Sequence, residues 1–256
     1  MFKIIPIKAF SDNYIWTIIQ GNEAIVVDPG DPKPVIKKLN ELNLSLRQIM
    51  VTHHHFDHSG GVLELQKAFN CPAYGPEGGH IKGITNPLND NEHFNVFDQY
   101  FMAMASPGHT NDQLAYFCES EPNPILFSGD TLFAAGCGRL FEGTPAEMHN
   151  TLSRFSALPL NTLVYCGHEY TESNLNFALE VEPNNVDIQN RLAEVKSLRD
   201  QNKVTLPSTI ELELKTNPFM RCDEENVIQA AIAYNATTDN SPDEILGTIR
   251  NWKDNF

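Results

Sequence analysis

The sequence predicts an α/β domain over residues 1–170 followed by a helical domain over residues 171–256. Short apolar, β-branched or aromatic runs alternate with helical stripes as far as about residue 170. Beyond that point the strand signals fade and the helical stripes continue. A chain of 256 residues with 41% hydrophobic content is long and apolar enough for one full core and a smaller second unit.

Seven runs read as strands: Tyr14–Ile19, Ala24–Val27, Gln48–Val51, Phe101–Ser106, Leu114–Cys118, Ile125–Phe127 and Thr162–Cys166. Val35, Ile36, Leu39 and Leu42 repeat at helical spacing, as do Val62, Leu65 and Phe69. Thr144-Pro145-Ala146-Glu147 has the form of a capping box with proline at the first helical position, and Met148, Leu152, Phe155 and Leu158 continue it as an apolar stripe. In the second part, Ile188, Leu192, Val195 and Leu198 form one stripe, and Val227, Ala230, Ala231 and Tyr234 another. Ser241-Pro242-Asp243-Glu244 repeats the capping-box pattern ahead of Ile245, Leu246, Ile249 and Trp252.

Charge narrows the partners. Against 18 Lys and Arg stand 33 Asp and Glu, a formal charge of −15. Such a chain repels nucleic acid and anionic membranes as a whole, so an anionic ligand needs a local cation or a metal. The five cysteines, Cys71, Cys118, Cys137, Cys166 and Cys222, are odd in number and contain no C-x-x-C pair. That fits reduced thiols in the cytoplasm better than a secreted disulfide framework. Lys3, Pro6 and Lys8 interrupt the first ten residues where a signal peptide would need a continuous apolar run, and no run approaches a membrane span. A monomer without nucleic-acid or membrane partners is expected.

The strongest chemical signal is Thr52-His53-His54-His55-Phe56-Asp57-His58-Ser59-Gly60-Gly61, between a strand and a helix. Extended backbone alternates its side chains, which puts His53, His55 and Asp57 on one side and His54 on the other, and the following turn lets His58 rejoin. Imidazole with carboxylate suits zinc, iron or manganese. His109 in Ser106-Pro107-Gly108-His109, Asp130 in Ser128-Gly129-Asp130 and His168 in Cys166-Gly167-His168 repeat one design. In each, a strand is followed by a glycine and then a residue able to bind metal. Seven such residues at four strand ends make a two-metal site with one bridging carboxylate the expectation. His80 and His93 fall in loop-like sequence and His149 on a helix, where solvated or structural roles suffice.

The order His-x-His-x-Asp-His, Gly-His, Gly-Asp, Gly-His resembles the metallo-β-lactamase superfamily, which implies an αββα sandwich. Further matches resemble its glyoxalase II family: Gly129-Asp130-Thr131-Leu132-Phe133, Gly136-Cys137-Gly138-Arg139, Tyr165-Cys166-Gly167-His168-Glu169-Tyr170-Thr171, Asn217-Pro218-Phe219-Met220-Arg221 and Arg250-x-x-Lys253-Asp254. The resemblance implies a first metal on His53, His55 and His109, a second on Asp57, His58 and His168, and Asp130 bridging. It also implies that Arg139, Phe141, Tyr170, Arg250 and Lys253 lie at a glutathione site. Arg139 stands where the family usually has lysine. Phe141 stands where it often has tyrosine, which removes a hydroxyl.

The implied reaction is hydrolysis of S-(2-hydroxyacyl)glutathione, such as S-D-lactoylglutathione, to glutathione and D-lactate, the second step of methylglyoxal detoxification. Two divalent ions per chain, zinc foremost with iron or manganese as alternatives, would hold a bridging hydroxide oriented by Asp57 and Asp130. Other readings on the same core are a lactonase, a β-lactamase, a nuclease, a one-iron persulfide dioxygenase, or a metal-binding module without turnover. The acidic charge speaks against the nuclease, and the C-terminal motifs against the β-lactamase. A cysteine nucleophile, with Cys137 the best placed, is not needed where metal supplies one. Removal of the residues beyond Tyr170 is expected to leave the metal ligands in place and abolish glutathione binding.

Overall fold

The computed structural model describes residues 2–236 and 238–256. Its contacts divide the chain into two compact units, one holding the residues up to Ser106 with Asp112–Gly129, the other Pro107–Asn111 with Asp130–Phe256.

In the first unit, β1 (Lys3–Ala9), β2 (Asn13–Gln20), β3 (Glu23–Val27), α1 (Pro32–Leu42), β4 (Ser45–Met50), α2 (Phe56–Ser59), α3 (Val62–Phe69), β5 (Ala73–Pro76) and β6 (Asn86–Leu88) come first. The six strands form one sheet in chain order, antiparallel from β1 to β3 and parallel from β3 to β6. Val26, Ile49 and Val51 pack with Val35 and Leu39 of α1 and with Val62 and Leu65 of α3. The alternate residues Ile25, Val27 and Met50 are just as buried, so both faces of the sheet are covered.

Four strands follow: β7 (His93–Val96), β8 (Gln99–Ala105), β9 (Leu114–Cys118) and β10 (Ile125–Gly129), joined antiparallel in the order β7–β8–β9–β10. Tyr116 at the centre of β9 donates its hydroxyl to the Val51 carbonyl, and the Phe94 ring meets it edge-on at 5.4 Å. These contacts stitch the second set of strands to the first sheet.

The second unit opens with a two-stranded hairpin, β11 (Leu132–Phe133) and β12 (Gly136–Cys137). Then come α4 (Pro145–Ser156), β13 (Leu163–Cys166), α5 (Thr171–Val181), α6 (Val186–Asp200), β14 (Ser208–Thr209), α7 (Ile210–Thr216), a 3-10 turn at Pro218–Met220, α8 (Glu225–Tyr234) and α9 (Pro242–Asp254). Ala135 from the hairpin turn packs against Leu175 and Ala178 of α5 and Ile188, Leu192 and Val195 of α6. No helix among the described residues is long and apolar enough to cross a membrane.

The seven expected strands all form. The Thr144 box is reciprocal: its hydroxyl accepts the Glu147 N–H at 3.2 Å, and the Glu147 carboxylate accepts the Thr144 N–H at 2.8 Å. Two expectations fail, and a strand forms at the N-terminus where none was anticipated. Ser241 occupies the N-cap position of α9 but its side chain makes no capping bond: its hydroxyl and N–H both donate to Asp239 at 2.8 Å, which turns the side chain toward the preceding loop. His93 begins β7 instead of lying in a loop. Lys3–Ala9, in a stretch read only for targeting, forms β1. Pro6 is tolerated there because β1 is an edge strand with one row of its backbone groups unpaired in the sheet.

Candidate metal centre

In the first unit the chain leaves β4 at Met50 and runs through the histidine segment into α2. This is the C-terminal end of a strand in the parallel part of the sheet, where such folds place their chemistry. The ring nitrogens are assigned by their neighbours. Asp28, 5% exposed, accepts the Thr52 N–H at 2.7 Å on one carboxylate oxygen. Its other oxygen accepts the Thr52 hydroxyl at 2.8 Å and faces His58 Nδ1 at 3.0 Å. With the Thr52 proton committed to Asp28, the hydroxyl can only accept from His53 Nδ1, 3.0 Å away. Both histidines therefore carry a proton on Nδ1, which in the neutral tautomer makes Nε2 the acceptor.

His53 Nε2 stands 3.1 Å from His55 Nδ1, and His58 Nε2 stands 3.4 Å from Asp57 Oδ2. Asn13 donates to Asp57 Oδ2 at 2.8 Å and fixes that carboxylate. Two imidazole nitrogens within hydrogen-bond distance of each other, beside a carboxylate and a third imidazole, are clustered as metal ligands are. Gly30 makes the packing possible, since a Cβ on it would sit 1.9 Å from the Asp57 carbonyl oxygen. His54 turns to Asp112, 2.9 Å from its Nδ1 to the carboxylate.

In the second unit His109 Nδ1 donates to the Arg139 carbonyl at 2.9 Å, which leaves Nε2 facing Asp130 Oδ2 at 3.7 Å. His168 Nε2 lies 3.2 Å from the same oxygen. The three side chains are each under one-tenth exposed. One carboxylate oxygen set between two imidazole nitrogens is a donor set suited to a first-row divalent ion. The His168 ring stacks on Tyr170, 4.8 Å between centroids and 8° from parallel.

The residues expected at the substrate site differ in setting. Phe141 is 62% exposed, with its ring 5.3 Å from that of His109. Arg139 is exposed and pairs with Asp254 at 3.3 Å. Arg250, on α9, is 5% exposed: it donates to the Cys137 carbonyl at 2.7 Å and to Asp254 at 3.1 Å, and lies over the Phe219 ring. Lys253 lies 5.0 Å from the centre of the Phe177 ring. Burial, reinforced by the neighbouring Arg250 charge, lowers its pKa to about 8. Glu169 accepts the Thr205 N–H at 3.0 Å and lies 3.5 Å from Arg199.

Asp28, Thr52 and Asn13 were missed in the sequence. Asp28 was findable, because Val26-Val27-Asp28-Pro29-Gly30 is again a strand end with an acidic residue and a glycine. Asn13 carries no local signal, for it meets Asp57 from 44 residues away.

The metallo-β-lactamase superfamily model matches residues 11–168, and a model of the hydroxyacylglutathione hydrolase C-terminus matches 169–256. A crystal structure of ETHE1 from Myxococcus xanthus superposes with a TM-score of 0.66 at 22% identity, covering 99% of this chain and 98% of that one. The chain is a metallo-β-lactamase-fold protein of the α/β class with a C-terminal helical region. Among curated relatives, a hydroxyacylglutathione hydrolase of Idiomarina loihiensis is 44% identical over 99% of both chains. Another, of Ectopseudomonas mendocina, is 48% identical over the full length of both. The chain belongs to the hydroxyacylglutathione hydrolases, the glyoxalase II family.

Proposed function

We infer that this protein hydrolyses S-(2-hydroxyacyl)glutathione, S-D-lactoylglutathione among its substrates, to glutathione and a 2-hydroxy acid, and so performs the second step of methylglyoxal detoxification. The observation that carries the reading is the end-to-end similarity to hydroxyacylglutathione hydrolases at 44–48% identity. The ligand-like geometry within each unit supports it. We assign a first divalent ion to His53, His55 and His109, a second to Asp57, His58 and His168, and the bridge to Asp130. The order of the motifs and the matching superfamily model support joining the two sets. Zinc is the favoured metal for this nitrogen-rich set, with iron and manganese the alternatives.

When bound, such ions acidify water and polarise a carbonyl. The chain's part is to hold that chemistry in place. Asp28 and Thr52 lock the imidazole tautomers, and Asn13 steadies Asp57. The leaving thiol, with a pKa near ~8.5, departs without a dedicated acid. We assign catalysis to residues 1–170 and substrate binding to 171–256, in a cytoplasmic monomer. Arg139, Phe141, Tyr170, Arg250 and Lys253 form the proposed glutathione contacts, and the cations among them offset a net charge of −15 that would otherwise repel the tripeptide's carboxylates.

The test is purified protein against S-D-lactoylglutathione, glutathione persulfide, a lactone and nitrocefin, with elemental analysis alongside. Turnover of the thioester with about two ions per chain is expected. Oxygen uptake with the persulfide and one iron would replace the reading with a dioxygenase, and turnover of the lactone alone with a lactonase.

Lys253 gives a pH signature. Its ammonium is present below about 8 and is lost as pH rises through that value. Arg250, Arg139 and Asp254 lie around it, and burial raises the pKa of the neighbouring Cys137 thiol. Between pH 7 and 9 the charged fraction falls about tenfold, so KM should rise toward that factor while kcat changes little. Lys253→Arg should flatten the KM profile. A KM that is level from pH 7 to 9 in the unaltered protein would remove Lys253 from the binding site.

A further inference from the structure

The hairpin that follows Asp130 cannot hold its own shape. Its turn residues are Ala134 and Ala135, and Ala135 has φ +55°, the left-handed region that disfavours alanine. The pair lacks the asparagine and glycine that favour two-residue hairpin turns. Only two residue pairs, Leu132 with Cys137 and Phe133 with Gly136, make up the ladder.

Support comes from the C-terminal region. Glu213 of α7, 1% exposed, accepts the Ala135 N–H at 2.8 Å. The same carboxylate accepts the Ser208 hydroxyl and the Asn217 side-chain amide. Asn217, fully buried, has its orientation set because its oxygen accepts the Phe219 N–H at 3.1 Å. Its nitrogen therefore points at the Gly136 carbonyl at 2.9 Å and the Phe133 carbonyl at 3.3 Å. Asn174 of α5 donates to the Ala134 carbonyl at 3.0 Å, and Arg250 holds the Cys137 carbonyl. These side chains from beyond residue 170 take up the backbone groups of residues 133–137. The hairpin starts two residues after Asp130, and the Gly138 N–H closes back on the Thr131 carbonyl at 3.1 Å. The segment held by these side chains therefore closes on the residue next to Asp130.

We propose that Glu213 and Asn217 are positioning residues that clamp the β11–β12 hairpin, so that the C-terminal region sets metal affinity at Asp130 as well as substrate affinity. The proposal rests on the reading of Asp130 as a metal ligand. It revises the expectation for a chain ending near Tyr170: such a chain keeps Asp130 and loses the clamp.

Zinc retention by the full-length holoprotein against a competing chelator tests this, with Tm measured in parallel. Glu213→Ala and Asn217→Asp should each weaken retention roughly ten- to a hundredfold, the range for residues that orient metal ligands. Glu213→Gln should stay near the unaltered protein, because the Gln oxygen still accepts from Ala135 and Asn217 while the Ser208 hydroxyl reverses to accept from the new amide. Leu39→Ala, which opens a cavity in the apolar cluster of the first unit, controls for general loss of stability. If the clamp variants lose zinc no more than Leu39→Ala at equal loss of Tm, the proposal is overturned. Should both clamp variants fail to fold, Asn174→Ala decides by the same comparison. Asp130→Ala separates the two levels of inference: unchanged zinc retention there sinks the metal reading and this proposal together, whereas a failure confined to the clamp variants sinks this proposal alone.

Discussion

Asp130→Ala protein is expected to lose both ions and at least ~100-fold in kcat/KM, since even residues one step removed from a metal ligand cost that much. One Asp130 oxygen lies 3.2 Å from His168 Nε2 and 3.7 Å from His109 Nε2, and these two histidines are assigned to different ions. Removing the carboxylate therefore unseats both. His54→Ala is the matched contrast. His54 is 30% exposed at its side chain and pairs with Asp112 at 2.9 Å. A partly exposed pair of this kind is worth ~0–1 kcal/mol of stability and no ion is assigned to His54, so activity should stay within about fivefold. Elemental analysis and steady-state kinetics on both variants check this. Two ions retained in the Asp130 variant would rule out its bridging role.

Gly138→Ala should be nearly as damaging, though it removes no functional group. A Cβ on Gly138 would sit 2.1 Å from the Asp130 carbonyl oxygen and 2.9 Å from His109 Nδ1. Both neighbours are fixed, the first as backbone and the second by its bond to the Arg139 carbonyl. Overpacking costs ~1–3 kcal/mol in ordinary cores, and here the displaced atoms belong to two residues assigned as metal ligands. The expected result is a lower Tm together with loss of zinc, read by thermal denaturation and elemental analysis. An alanine variant with unaltered metal content would show that this segment yields more readily than its contacts imply.

What could be read in the sequence was local in nature. Residues 52–61 announce themselves because five ligand-type residues and two glycines crowd one strand end, and the Thr144 box because its partners are three residues apart. The contacts that escaped notice act over long separations. Asn13 meets Asp57 across 44 positions, Glu213 meets Ala135 across 78, and Arg250 meets Cys137 across 113. A buried Glu or Asn on a helix leaves no periodic trace of which carbonyl it serves. Arg250 illustrates the limit from the other side. Its spacing from Lys253 suggests two like cations on one helix face, yet one guanidinium is spent on a backbone carbonyl and an aromatic ring. The proline-bearing strand β1 was lost because local propensity counts proline against a strand, and only the sheet's edge excuses it.

The buried thiols have a consequence for chemoselectivity. No disulfide joins the five cysteines, and all are buried. Burial raises the pKa of Cys71 and Cys118 to about 11 and pushes those of Cys137, Cys166 and Cys222 upward as well. A thioester is an acyl donor to any thiolate within reach, and thiolate is the reactive form. A protein that turns over acylated glutathione and releases its thiol meets, at every cycle, the two reagents most apt to acylate or glutathionylate a cysteine. By keeping all five sulfurs protonated and out of solvent, this fold is proofed against its own substrate and product, and water is left without an internal competitor for the acyl group.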